Sequence, residues 1–225
     1  SNNANKFAEA AKKVSSGSHL SIILSSTSLE NMKAALATCA EKRPLIHGAN
    51  AQNCEAMAAL AKEKNCPMTV TAPTLEELAD LTECAKKAGV GEIMLDVSGN
   101  NPKEVLQKLT KIRRAALKKN FRSLGFPMIT FVCDDDPFQE ISLASTYLVK
   151  YAGIVAVNTC EPWGIMPLLT ARANIFTDPQ KPIQVEPKLY AVGDVKEDSP
   201  VLFTTNFSLT YYTVEGEVEG SRIPA

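Results

Sequence analysis

The chain has 225 residues, 45% of them apolar and 22% charged, with a formal net charge of −1. That length suits one large domain or two small ones, and the balanced charge argues against both a basic nucleic-acid-binding surface and a disordered polyelectrolyte. No apolar run reaches the roughly 18 residues of a membrane span, and the opening SNNANKFAEAAKK lacks the apolar centre of a signal peptide. The sequence therefore reads as soluble and cytoplasmic, with neither nucleic acid nor membrane as a partner.

Residues 1–19 read as an N-terminal extension or linker. From there, short β-branched runs recur: SIILSS (21–26), PLIHGA (44–49), MTVTA (68–72), EIMLDV (92–97), PMITFV (127–132), GIVAVN (153–158), PIQVEP (182–187) and VLFTTN (201–206). Stretches with helical spacing separate the first seven. Their start signals are Ser28 with Asn31, Thr74 ahead of Glu76 and Glu77, and Pro102, Pro137 and Pro162 in the first turn; Gly89 and Gly153 mark expected ends. Near-continuous apolar strands alternating with amphipathic helices require a parallel sheet covered by helices. Eight units predict a TIM-type (β/α)8 barrel over residues 20–215. An open doubly wound sheet, the alternative, usually has fewer strands and a Gly-rich first turn, which LSSTSLE is not. The last unit reads as incomplete. KLYAVGDVKEDS is too short and turn-rich for a full helix, and SLTYYTVEGEVEG predicts barely two helical turns before its glycines.

Six cysteines (39, 54, 66, 84, 133, 160) are widely spaced with no C-x-x-C, so they read as reduced and mostly buried thiols. Barrel chemistry gathers where strands end. Those positions hold Ser25, Ser26, His47, Thr71, Asp96, Ser98, Cys133, Asp134, Asn158, Glu161, Glu186, Thr204, Thr205 and Asn206. No lysine ends a strand, and His47 is the one rim histidine. A general base or metal ligand is one reading of His47; a hydrogen-bonded structural residue is the other. Asp134 to Asp136 read as an N-cap with a favourable dipole match, and Trp163 either lines a pocket or packs beneath its loop. Asp96 is the best single carboxylate. Such a rim suits a neutral, polar ligand or a docked partner better than acid catalysis, and no catalytic residue or metal ligand is assigned.

The segments PLIHGANAQNCEAMAALAKEKNCPMTV, LEELADLTECAKKAGVGEIMLDVSGN and above all VLFTTNFSLTYYTVEGEVEG resemble the large (gamma) subunit of the corrinoid iron-sulfur protein of the CO dehydrogenase/acetyl-CoA synthase system. The resemblance implies a three-part subunit: an iron-sulfur domain, a central barrel and a C-terminal corrinoid-binding domain. This chain then corresponds to the barrel, with residues 216–225 beginning the linker to the corrinoid domain. It implies corrinoid (cobalamin) and an iron-sulfur cluster in the full assembly, with neither bound to this chain alone. The implied partners are the small corrinoid iron-sulfur protein subunit as a heterodimer, and transiently the methyltransferase and acetyl-CoA synthase. Apolar surface left uncovered also predicts a homodimer. The assembly moves a methyl group from methyltetrahydrofolate to acetyl-CoA synthase, and the barrel is expected to scaffold rather than catalyse. Thr204, Thr205 and Asn206, with Tyr211 and Tyr212, are the positions implied near the corrinoid junction. The alternative is a pterin-binding methyltransferase-like barrel enzyme, using Asp96, Asn158 and Asn206 toward a pterin ring. A metal-dependent lyase using His47, Asp96 and Glu186 is a third reading.

Overall fold

The computed structural model describes residues 3–175, 183–222 and 224. The chain divides into two compact units, Ser1–Ala171 and Arg172–Ala225.

The first unit opens with α1 (Ala4–Gly17), so the N-terminal extension contains a helix, capped by the Asn3 side chain accepting from Lys6 N–H at 3.1 Å. It packs on α2 and buries Ala11 and Ser15, and the Lys42 ammonium donates to the Ser15 and Ser18 carbonyls at its end. Six βα repeats follow. The strands are β1 (Ile23–Ser25), β2 (Leu45–Ala49), β3 (Met68–Thr71), β4 (Ile93–Asp96), β5 (Met128–Phe131) and β6 (Ile154–Ala156). The helices are α2 (Leu29–Cys39), α3 (Cys54–Glu63), α4 (Leu75–Ala88), α5 (Pro102–Lys118), α6 (Pro137–Val149) and α7 (Pro162–Ile175).

All neighbouring strands are parallel, in the order β1-β2-β3-β4-β5-β6. An order that never reverses, joined by right-handed crossovers, sends every helix to the same face, whereas a doubly wound sheet has a switch point and helices on both. The fold is thus α/β with a curled, parallel, barrel-type sheet. Central strands are buried on both faces, while β1 and β6 at the edges are more open. Met32, Leu36, Ile46, Met57, Met68, Leu78, Leu95, Leu109, Ile112 and Ile129 lie wholly inside, each contributing roughly 1.5–3 kcal/mol of burial.

Local signals act where the sequence puts them. Ser28, Thr74 and Asp136 cap α2, α4 and α6, Pro102 and Pro137 stand at N1, and Gly89 takes the left-handed conformation after α4. Gly153 does not stop α6. The helix ends at Val149, and the left-handed residue is Tyr151, at φ 81°. Gly153 instead enters β6, donating its N–H to Met128 O at 2.8 Å.

The expected seventh and eighth strands do not join the sheet among the described residues. Residue 182 lies outside that range; from 183 onward, Gln184 makes one antiparallel bridge to Phe207, and 201–205 form no strand. Adjacent parallel strands need a crossover of a dozen or more residues, usually a helix. The 188–199 connection is about that long, but its turns and exposed backbone build no helix to cover a sheet. The segments therefore meet antiparallel, through Val185 N–H to Asn206 O at 2.8 Å and Ser208 N–H to Ile183 O at 3.0 Å.

The final helix is the opposite correction. α8 runs through Ser208–Ser221, some four turns, across Gly216 and Gly220. Each glycine costs about 1 kcal/mol against alanine, which lowers the helix's stability without ending it. Tyr211 donates to the Glu215 carboxylate one turn on, at 2.7 Å, and Arg222 closes the helix in the left-handed region.

Glu140 is fully buried on the apolar stripe of α6 beside Ile141, Ala144 and Tyr147. Its two oxygens accept the Asn158 and Thr159 backbone N–H groups at 2.7 and 2.9 Å, holding the turn after β6. Burial pushes this carboxyl up, but the hydrogen bonds from Thr159 and Asn158 outweigh it and leave it below the ordinary glutamate value. Glu140→Ala should cost about 3 kcal/mol in urea unfolding, since two hydrogen bonds to a charged acceptor vanish and strand their donors. Because the folded value is the lower one, that contribution should be present above the ordinary value of 4.5 and fade as pH falls through the folded value.

Candidate functional site

The ends of β1, β2, β4 and β5 bring together four polar side chains and one ring. The His47 Nε2 lies 2.9 Å from Asp96 Oδ2, and its Nδ1 lies 2.8 Å from Ser25 Oγ. The other Asp96 oxygen, Oδ1, accepts from both the hydroxyl and the backbone N–H of Ser98. The Ser98 hydroxyl in turn accepts the Phe131 N–H at 2.8 Å, and the Phe131 ring sits 4.5 Å from the His47 ring. The chain of contacts thus ties four strands together at one end of the sheet. Parallel register explains why: Ser25 pairs with His47, and β3 joins β2 to β4 with Thr71 opposite Asp96.

Asp96 is buried, while Ser25 is exposed. Burial pushes the Asp96 carboxyl up, but hydrogen bonds from His47 and from the Ser98 hydroxyl and N–H outweigh it and hold the group below the usual aspartate value. An ionised Asp96 only accepts, so Nε2 carries a proton, and in the neutral ring Nδ1 accepts the Ser25 hydroxyl. The result is a polarised hydroxyl presented at the rim. Acyl transfer would further need free backbone donors beside the serine. Here Ser26 N–H is bound to His47 O, and Ser28 N–H to Ser26 Oγ.

Two loops are stitched beneath this rim. Asn53 Nδ2 donates to Thr27 O at 2.9 Å and Gly48 O at 3.1 Å, and Ser26 Oγ accepts from Asn31 Nδ2. Gly48 has φ +118°, and a Cβ there would stand 2.4 Å from Ser26 O. Only glycine permits that approach.

The remaining sequence-expected positions separate. Asn158 sits beyond β6, at the same sheet end as Asp96, with its N–H given to Glu140 and its side chain exposed. Thr204, Thr205 and Asn206 belong to the C-terminal unit, where with Glu186, Tyr190 and Tyr211 they line a cavity of about 830 Å³. Donating to Glu215 pushes the Tyr211 phenol up to about 12, since losing its proton would set two anions together. Glu186 pairs with Lys188 at 2.9 Å in that same unit. Asp136 is a cap, as the sequence indicates, and Trp163 stacks on Phe138 with ring centroids 4.7 Å apart on the surface. Sequence reasoning missed Glu140, Asn53 and Phe131. For Glu140 the signal was a carboxylate on a helix's apolar stripe, which demands a buried partner.

The profile of the family described as CO dehydrogenase/acetyl-CoA synthase delta subunit matches residues 1–225. The chain belongs to that family. It is 43% identical over 219 residues to the corrinoid/iron-sulfur protein large subunit of Moorella thermoacetica, covering 97% of this chain and 49% of that one. It is 37% identical over 233 residues to the acetyl-CoA decarbonylase/synthase complex subunit gamma of Methanothermobacter thermautotrophicus, covering 98% and 51%. The chain thus spans about half the length of the curated relatives it matches, and their names bear out the resemblance to the large, gamma subunit. Among solved structures, Rv1207 of Mycobacterium tuberculosis superposes with a TM-score of 0.54 at 14% identity, over 78% of each chain. That likeness supports the α/β fold alone.

The name of the Moorella relative speaks of corrinoid and iron-sulfur groups. No three His, Cys, Asp or Glu gather into a metal-holding group among the described residues. Cys39, Cys54 and Cys66 are buried, Cys84 is half-buried, and the exposed pair is Cys133 and Cys160, which corrects the expectation of mostly buried thiols only for those two. Burial, and then the neighbouring Cys84, push the Cys54 thiol up to about 12, far from the thiolate that iron would require. Both nitrogens of His47 are engaged, so the sheet end offers no free imidazole to a cobalt ion. No described helix is long and apolar enough to cross a membrane.

Two outcomes follow from this geometry. Gly48→Ala should destabilise the protein by about 3 kcal/mol through left-handed strain and the Ser26 clash, read as a fall in melting temperature. Asp96→Ala should cost roughly 3 kcal/mol or more by stranding His47 and Ser98. With the folded Asp96 value below the ordinary 3.8, wild type and variant should converge as pH drops through it, in acid unfolding followed by circular dichroism.

Proposed function

We propose that this chain is the barrel segment of a corrinoid iron-sulfur methyl-carrier subunit. In that role it pairs subunits and presents a cofactor held elsewhere, while the assembly passes methyl groups from methyltetrahydrofolate, through a methyltransferase, to acetyl-CoA synthase. The observation that carries this reading is 43% identity across 97% of the chain to a protein named as the large corrinoid/iron-sulfur subunit. The rim supports it: its buried carboxylate, Asp96, and its histidine, His47, are engaged in hydrogen bonds to each other and to serines. Such a cluster fixes loops and leaves little acid–base capacity for chemistry.

The proposed cofactor-side positions are Asn158 and, in the C-terminal unit, Thr204, Thr205 and Asn206, whose side chains are neutral hydrogen-bonding groups; Asp96, expected among them from the sequence, has both oxygens taken by His47 and Ser98. An intracellular setting and pairing with a small barrel subunit belong to the same proposal.

Visible absorbance of added methylcobalamin tests it. The chain combined with the small subunit and with the half of the Moorella large subunit that it does not match should form a complex that shifts the corrinoid spectrum, and the chain alone should not. Failure to form any such complex, with no corrinoid retained, would overturn the reading. Micromolar heat of binding for methyltetrahydrofolate to the chain alone would replace it with the pterin-binding enzyme.

A further inference from the structure

The chain's cations are not spread evenly. Residues 103–122 hold eight of its 24 lysines and arginines and a single acid, Glu104, a net charge of +7 in a protein whose total is −1. Helix α5 carries most of them. Its buried stripe is Val105, Leu109 and Ile112, and at 100° per residue Lys111, Arg114 and Lys118 project from the opposite side within a 60° arc. None of these three, nor Lys108 or Lys119, has a carboxylate within ion-pair distance among the described residues, and Glu104 is hydrogen-bonded to Asn101. The macrodipole explains cations in the last turn, at Lys118 and Lys119, but not Lys111 and Arg114 farther back.

Lys111, Arg114, Lys118 and Lys119 border an open groove of about 610 Å³ whose floor is apolar: Leu75 from the start of α4, then Phe121 and Leu124. Phe121 is 46% exposed, and Leu117, one turn back on α5, is 61% exposed. One acid, Glu76, stands at the rim. Uncompensated positive charge around an exposed aromatic floor selects a ligand with two properties, anionic groups at its edge and a bulky apolar group at its centre. A phosphate backbone would satisfy the first and leave the floor bare, and the single aromatic here gives no stacking platform of the interleaved kind.

We infer that this face of α5 is a docking surface for an acidic protein segment bearing one or two large apolar side chains. The inference concerns the outer surface of the first unit and goes beyond the methyl-carrier reading, since it holds whether or not a corrinoid is present.

Fluorescence anisotropy on the 225-residue chain tests it with three labelled probes. They are a short glutamate-rich peptide with central Leu and Phe, the same peptide with those two replaced by Ser, and an oligothymidylate. At ~50 mM salt the Leu/Phe peptide should bind, and raising salt to ~200 mM should weaken it several-fold because the Debye length shrinks. K111E/R114E/K118E should abolish binding and K111Q/R114Q/K118Q should weaken it at least tenfold, both with unchanged melting temperature because all three side chains are exposed. Phe121→Ser should weaken binding while leaving the salt slope intact. The inference is overturned if no probe binds at low salt, if the Ser peptide or the oligothymidylate binds as well as the Leu/Phe peptide, or if the glutamine variant binds like wild type. Each of these results leaves the corrinoid spectrum untouched, so the two readings fail separately.

Discussion

A parallel strand can reach its neighbour only by a crossover that climbs back over the sheet, and this requirement governs the whole first unit. Every step from β1 to β6 runs in the same direction with a helix between, so the crossover helices share one face of the sheet and the carboxyl ends of the strands share one end. The polar chain from Ser25 through His47 to Asp96 and Ser98 exists because of that common end. Residues 49 positions apart in sequence, His47 and Asp96, become hydrogen-bond partners with β3 between their strands. After β6 and α7 the parallel order ends among the described residues, and Gln184 and Phe207 make a short antiparallel contact instead.

Two buried carboxylates and one glycine show how the first unit is held together at its strand ends. Asp96 and Glu140 are carboxylates inside the protein, and each is surrounded by donors: His47 and Ser98 for one, two backbone N–H groups for the other. Both stay ionised for that reason, against the pull of burial. Both also serve geometry, since Glu140 fixes the turn after β6 and Asp96 fixes the rim. Gly48 completes the set from the backbone side, by allowing the β1 and β2 loops to touch. A rim so fully hydrogen-bonded holds the loops around it in place. On the outer surface, Lys111, Arg114 and Lys118 of α5 have no carboxylate within ion-pair distance among the described residues, unlike Arg43 and Lys86, which pair with Glu92 and Glu83.

Much of this was legible in the residues. Periodicity located six strands and their helices, because the central strands are buried on both faces and read as continuous apolar runs between helical spacings. Caps at Ser28, Thr74 and Asp136 were readable because they depend on contacts within three residues. The last two runs misled for the same reason in reverse: VLFTT and PIQVE have strand composition, yet a strand exists only against a partner, and composition says nothing of partners. Gly216 and Gly220 misled too, since propensity is a local cost that a whole helix can carry.

The sequence by itself determined the class of fold, the position of most elements and the family, since these follow from local pattern and from direct likeness along the chain. Only the tertiary structure decided that His47 is locked between Ser25 and Asp96, that Glu140 holds the turn at Asn158, and that the tail forms its own unit. Those outcomes depend on which distant groups meet in a low-dielectric interior, where a hydrogen bond or its absence is worth kilocalories, and no single stretch of sequence contains that information.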